Sequence, residues 1–388
     1  MPEQTDDLLA RLVAIDSRNP ALVPGGPGEP RIASEVGSFL HAAGLDVTII
    51  DEESGRPSVI GRLPGGGERA LLLNAHIDTV GFGAMATPLT PRVAEGRLYG
   101  RGAYDMKGGL AAVLAAAAAL AQGEHLSGDL IITAVADEEH ASRGTEAALK
   151  YLRGAGWRVD AAIVTEPTDL QLCVAHKGFA WADVMTHGRA AHGSRRADGL
   201  DAITHMGRVL VALERLDQQL QERPAHPLLG HASLHASLIA GGTELSTYPA
   251  RCQLQLERRT LPGETADSVG AELGAILHTL AADDPEFIAE STLTLFRPPL
   301  ETAADQPIVT ALLAVVEHIL GAPPATVGAT FWMDAALLGA AGIPTAVFGP
   351  RGAGLHADVE WVDLASVQAC ADVLVATAQA FCSDFNGR

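Results

Sequence analysis

Five side chains of metal-ligating type stand far apart in the sequence, each at the end of an apolar run or inside a glycine-rich turn: His76, Asp105, Glu139, Glu166 and His356. Imidazole nitrogens and carboxylate oxygens are the ligands of divalent zinc or cobalt in hydrolytic sites, which keep one position open for water. Asp105 lies within residues 98–109, LYGRGAYDMKGG. Gly100 and Gly102 there allow backbone conformations that residues with a Cβ avoid, while Gly108 and Gly109 let a helix begin close against its neighbours. A carboxylate presented from such a turn can give each oxygen to a different partner, which suits a bridge between two metal ions. The alternative is that Asp105 caps the helix that follows, a position Asp favours.

The elements that must position these residues follow from hydrophobic periodicity. Residues 69–74, 130–135 and 161–165 are unbroken apolar runs of strand length, as in strands covered on both faces. They lead into His76-Ile77-Asp78, Asp137-Glu138-Glu139 and Glu166-Pro167. Strands are also expected at 47–51, 59–63 and 345–348, with helices at 6–16, 31–44, 107–121, 146–153, 307–320, 333–341 and 363–383. In an open α/β sheet ligands bind outside the carboxyl ends of the strands, so these ionisable residues are expected to converge on one rim. After Lys177 the pattern changes. Strands at 179–185, 233–239, 250–258 and 290–296 alternate apolar and polar residues around helices at 199–221 and 265–282, the order β-α-β-β-α-β of an antiparallel α+β unit. The expected architecture is an α/β catalytic domain with a mostly parallel sheet flanked by helices, residues 1–177 and 295–388, interrupted by an inserted α+β domain at 178–294. An insertion the size of a small domain also explains the long gap between Glu166 and His356.

Composition agrees with this picture. At 388 residues and 47% hydrophobic content, two cores are the default. A net charge of −20 argues against nucleic acid and anionic membranes as partners, though not against small anionic substrates. Cys173, Cys252, Cys370 and Cys382 form no CxxC pair, which fits a reducing compartment. The N-terminal stretch is acidic without an apolar signal region, and the apolar run 110–121 is too short to span a bilayer, so a soluble cytoplasmic protein is expected. Neither GxSxG nor HExxH occurs, which removes the commonest serine and single-zinc hydrolases. His231 and His235 flank an alternating strand and read as surface residues.

Taken together, the motifs resemble the M20 family of metallopeptidases and deacylases, the group of acetylornithine deacetylase, succinyl-diaminopimelate desuccinylase, aminoacylase-1 and glutamate carboxypeptidase. The resemblance rests on Asn74-Ala-His-Ile-Asp78, the Gly100 to Gly109 segment, Asp137-Glu138-Glu139, Thr165-Glu166-Pro167, Gly188-Arg-Ala-Ala-His192-Gly-Ser194 and Gly354-Leu-His356-Ala-Asp358, in that order along essentially the whole chain. It implies that Asp105 bridges two divalent ions, zinc or cobalt, with His76 and Glu166 completing one site and Glu139 and His356 the other. Asp78 would orient the His76 imidazole, and Glu138 would act as general base toward a metal-bridging water. In an extended chain after 130–135, neighbouring side chains point opposite ways, so Glu139 could hold metal while Glu138 faces the water. His192 would reach across a homodimer, formed through the inserted domain, into the partner's active site. The implied reaction is two-metal hydrolysis of an amide, with the base contributing about 10²–10⁴-fold.

The resemblance is less complete around the substrate. Arg259 falls where the family's carboxylate-binding arginine stands, and a guanidinium suits forked carboxylate contacts. The family's usual Asn is Ser246 here, and its Asp-x-Arg reads Asp334-Ala335-Ala336. These departures point away from a doubly acidic amine product. The expected substrate is an N-acyl amino acid, as for the acetylornithine deacetylase type. The alternatives are an exopeptidase acting on short peptides and a non-catalytic metal-binding homologue.

Overall fold

The computed structural model describes residues 5–52, 55–67, 69–123 and 126–382; residues 1–4 of the N-terminal stretch and the last residue of the expected helix 363–383 lie outside them. Two compact units divide the chain, one of residues 1–174, 302–327 and 333–388, the other of residues 175–301 and 328–332.

In the first unit the main sheet runs in the order Asp46–Ile50, Ser58–Leu63, Asp129–Val135, Ala70–His76, Ala161–Val164, Thr345–Val347. These last four strands are mutually parallel, while Asp46–Ile50 and Ser58–Leu63 extend the sheet antiparallel at one side and Leu172–His176 pairs antiparallel with Thr345–Val347 at the other. The sheet is therefore mixed, with a parallel centre. Parallel neighbours need crossover connections, and the intervening helices supply them. Ala70–His76 is buried at every position, which accounts for its unbroken apolar run.

Helix Gly108–Gln122 is buried on nearly all sides and packs on Leu364–Cys382 in the core of this unit. The stretches Ala103–Gln122 and Leu364–Cys382 are long and apolar enough by composition to cross a bilayer, but both contribute many buried residues to this core. Each fully buried leucine there contributes about 1.5–3 kcal/mol.

A second, small sheet in the same unit was not expected from the sequence. It joins Gly352–Ala353, Trp361–Asp363, Arg97–Tyr99 and Arg92–Ala94, all antiparallel. These strands are too short to show periodicity, yet they stitch the segment before Asp105 to the segment after His356.

The other unit has four antiparallel strands in the order Ser233–Gly241, Arg251–Thr260, Gly178–His187, Ile288–Arg297. Helices Ala202–Glu222 and Ala266–Asp283 complete its β-α-β-β-α-β order. The first helix is capped by Asp201, which accepts from the Thr204 N–H, and the second by a capping box between Thr265 and Ser268. Strand Arg251–Thr260 buries every second residue, among them Cys252, Leu254 and Leu256, against these helices.

Candidate active site

His76 is the last residue of its strand and is almost fully buried. Its Nε2 lies 3.1 Å from Asp105 Oδ1 and 3.7 Å from Glu166 Oε1. His356 Nε2 lies 3.2 Å from Asp105 Oδ2 and 3.0 Å from Glu139 Oε2. The two oxygens of Asp105 thus face two different imidazoles. Within each of the sets His76, Asp105, Glu166 and Asp105, Glu139, His356, the ligand-type atoms lie within 4.8 Å of one another.

Asp105 does not cap the following helix. The N-cap of Gly108–Gln122 is Lys107, which makes no side-chain capping bond, and Asp105 sits in the wide turn Ala103–Lys107 with non-helical backbone angles. That turn is held by Glu360, whose carboxylate accepts from the backbone N–H groups of Gly102, Tyr104 and Asp105.

The segment bearing Glu138 and Glu139 is a turn rather than the extended chain expected from the strand before it. Asp137 adopts a φ of 65°, and its carbonyl accepts from the N–H groups of Ala141 and Ser142. Asp78 organises this turn. Its Oδ1 accepts the Glu138 N–H at 3.1 Å and its Oδ2 the Glu139 N–H at 3.3 Å. The His76 Nδ1 is 3.1 Å from the Asp78 carbonyl oxygen and 3.5 Å from its Oδ1. One buried carboxylate therefore faces the imidazole of His76 and pins the backbone of Glu138 and Glu139. Behind it, Asn19 Nδ2 donates to both Asp78 and Asp137, and Arg56 pairs with Asp137 and Glu29.

Glu166 follows a strand end packed against two glycines. A Cβ at Gly109 would lie 2.0 Å from the Thr165 carbonyl oxygen, and one at Gly349 would lie 2.2 Å from that of Glu166.

The electrostatics of the cluster favour added positive charge. Burial, with Glu166 nearby, pushes the Glu138 carboxyl well above its ordinary range. Burial, with Asp105 beside it, pushes Glu139 up to about 7. Burial likewise raises Glu166, despite His76. Burial alone would lower His76, yet Glu166 and Asp105 hold it well above 6.5. Hydrogen bonds to Asp105 and Glu139 raise His356 to about 10. Converging buried carboxylates retain protons when positive charge is scarce.

The donor set fits divalent cations. Two imidazole nitrogens each face two carboxylates, although a neutral imidazole carries one N–H. Glu139 Oε1 is buried with no hydrogen-bond partner among the described residues. Cations in the two triads would answer both the excess of acceptors and the unmet charge.

The remaining expected residues fall into two groups. Asp334 belongs to the first unit, where it is buried. Its Oδ2 accepts from Thr145 Oγ1 at 2.7 Å, and its charge acts on Glu138 and Glu166. Burial pushes it up to about 6, against hydrogen bonds from Thr145 and Ser142. His192, Ser246 and Arg259 belong to the second unit. His192 is exposed, with Nδ1 2.8 Å from Ser194 Oγ, and pairs through its backbone with Thr247. The Ser246 carbonyl oxygen accepts from the Gly193 N–H. Arg259 is half-buried, donates from Nε to Glu257 at 2.7 Å and lies over the Phe179 ring.

Sequence reasoning did not find Asn19, Arg56, Arg101, Asp137 or Glu360 as parts of this machinery. Asp137 was visible as the first residue of its acidic triplet and Arg101 as the residue between two glycines. Nothing periodic marks Asn19, Arg56 or Glu360.

Comparison with known proteins bears on the family and the fold. The family model for peptidase family M20/M25/M40 matches residues 72–380. Acetylornithine deacetylase of Myxococcus xanthus is 31% identical over 358 residues, covering 90% of this chain and 88% of that protein. Among solved structures, aminopeptidase PepT from Bacillus cereus superposes with a TM-score of 0.78 at 18% identity, covering 99% of each chain. The YXEP protein of Bacillus subtilis, a dinuclear metal binding peptidase from the M20 family, does so with a TM-score of 0.72 at 16% identity, over 97% of each chain.

Proposed function

Because this chain belongs to peptidase family M20/M25/M40 and is a metal-dependent amide hydrolase, we propose that it is a dinuclear deacylase that cleaves N-acyl amino acids. The observation that carries the reading is the pair of triads sharing Asp105, beside a base that is not otherwise engaged. Among the described residues the Glu138 carboxylate accepts no hydrogen bond, while its backbone N–H is fixed by Asp78. Relatives of similar length named acetylornithine deacetylase support acyl removal over peptide trimming.

In this reading His76, Asp105 and Glu166 hold one ion and Asp105, Glu139 and His356 the other. Zinc or cobalt suits these nitrogen and oxygen ligands. Bound there, the ions would acidify water and polarise the amide carbonyl. The chain's own part is proton handling. Glu138 takes a proton on its carboxylate from the attacking water and returns it to the departing amine nitrogen. Burial beside Glu166 raises its proton affinity, and cations held in the two triads would favour the carboxylate form that a base requires. Asp78 keeps the His76 ring and the Glu138–Glu139 turn in register. Arg259, steadied by Glu257, would receive the substrate carboxylate, with Ser246 and Asp334 as further substrate contacts. His192 would serve the active site of a second copy in a homodimer. The free, buried cysteines support a reducing compartment.

The test is amine release from a panel of N-acyl amino acids and dipeptides by cobalt- or zinc-loaded protein. Turnover of N-acyl amino acids at least about tenfold above dipeptides in kcat/KM supports the deacylase. The reverse preference would make the protein an exopeptidase.

A further inference from the structure

Glu360 and Arg101 form an ion pair that is 1% and 2% exposed, and the proposed mechanism uses neither. Glu360 Oε1 accepts from the N–H groups of Tyr104 at 2.9 Å and Asp105 at 3.0 Å. Its Oε2 accepts from the Gly102 N–H at 2.9 Å and from Arg101 Nη1 at 2.7 Å. Arg101 Nη2 continues to the Ala357 carbonyl oxygen at 2.9 Å, one residue beyond His356. In return the Gly100 N–H donates to the Glu360 carbonyl. The small sheet extends the same junction, pairing Trp361 with Tyr99. Two loops distant in sequence, one carrying Asp105 and the other His356, are thus bonded into one body.

The two triads differ in what else fixes them. His76 ends a buried strand, and Glu166 follows another. His356 sits on a loop at φ 57°, with its side chain 56% exposed. A buried ion pair is weak evidence of stabilisation, since well-packed apolar residues often replace one without loss. What this pair does supply is geometry, because its donors and acceptors fix the separation of the two loops.

We propose that Glu360 and Arg101 are a positioning clamp that sets the distance between Asp105 and His356 and thereby governs ion binding in the Asp105, Glu139, His356 triad. Neither residue binds metal or substrate. The inference rests on the two-ion reading above. Substitution of residues that orient ligands typically lowers metal affinity by about 10–100-fold.

The experiment is a stepwise titration of metal-depleted protein with Co2+, followed by calorimetry and the visible absorption of the bound ion. Wild type is compared with Arg101→Lys and Glu360→Gln. In Arg101→Lys one ammonium keeps the charge opposite Glu360 but lacks the forked reach to Ala357. Both variants should bind the first equivalent within about threefold of wild type and the second about 10–100-fold more weakly. A folded variant that binds both equivalents like wild type, or weakens both equally, overturns the clamp. Wild type binding fewer than two equivalents overturns the two-ion reading and the clamp with it. Should neither variant fold, hydrogen exchange of metal-free wild type carries the test. The amides of Gly102, Tyr104 and Asp105 should be protected and exchange together with that of Ala357. Unprotected exchange at 102–105 overturns the proposal.

Discussion

Asp78→Asn is the substitution that separates this account most sharply from one in which Asp78 is an ordinary turn residue. The carboxylate is fully buried. Oδ1 faces the Glu138 N–H and His76 Nδ1, and Oδ2 faces the Glu139 N–H and Asn19 Nδ2. An amide has one acceptor oxygen, so its NH2 must face one side. Facing the partners of Oδ2 it loses two hydrogen bonds; facing those of Oδ1 it loses the Glu138 bond and the attraction for His76, whose Nδ1 keeps the Asp78 carbonyl. The cheaper orientation loses one charge-assisted bond and leaves one buried donor unpaired, so the metal-free protein should lose roughly 2–4 kcal/mol, read from urea unfolding. Activity should fall by more than the about 10–100-fold typical of a residue that orients a metal ligand, because the same change frees the backbone of Glu138. The loss should appear in kcat, measured at saturating metal. A variant that loses under about 1 kcal/mol and stays within about threefold of wild type in kcat/KM would refute this assignment of Asp78.

Gly109→Ala ordinarily stabilises a helix by roughly 0.5–1 kcal/mol, but here the Cβ would lie 2.0 Å from the Thr165 carbonyl oxygen. Urea unfolding should show a loss of about 1–3 kcal/mol together with weaker metal retention as Glu166 is displaced, and a stabilised variant would contradict the packing described. Burial pushes Asp129 up, but the Gly65 N–H and Arg62 outweigh it and hold the carboxyl below its ordinary range. Its contribution is complete above the unfolded-state value near about 3.9 and is lost as pH falls through the lower folded value. Arg62→Ala should cost about 1 kcal/mol at neutral pH and flatten the acid limb of the stability curve; an unchanged limb in pH-dependent unfolding would argue against it. If His192 serves the neighbouring subunit, mixing His192→Ala with Glu138→Ala protein should restore activity through hybrid dimers with one intact site. Inactive mixtures, with subunit exchange demonstrated, would exclude that arrangement.

Much of the fold was legible because its signals are local. The apolar runs at 69–74, 130–135 and 161–165 fall on the strands Ala70–His76, Asp129–Val135 and Ala161–Val164, and the ionisable residues after them gather at one place, as the rule for parallel sheets requires. The β-α-β-β-α-β order after Lys177 was equally visible from alternation. What failed was reasoning that extended a local period past its end. The alternation assigned to Glu138 and Glu139 presupposed a continuing strand, whereas Asp137 turns the chain at positive φ and Asp78 catches the next two N–H groups. Strands of two or three residues carry no period: Gly352–Ala353 exists only through Trp361–Asp363, which in turn pairs with Arg97–Tyr99 far away in sequence. Glu360 and Asn19 were silent for a related reason. Their work is to satisfy backbone and carboxylate groups that only the folded chain brings near, so no spacing announces them.

The central claim, a two-ion hydrolase with Glu138 as base, is tested most directly by restoring metal to chelated protein while counting bound ions and amine release together. Wild type should regain activity in step with the second equivalent of cobalt or zinc. Glu138→Gln should bind both equivalents yet lose at least about 10²-fold in kcat. Full activity at one equivalent or without metal, or an active Glu138→Gln variant, would contradict the account.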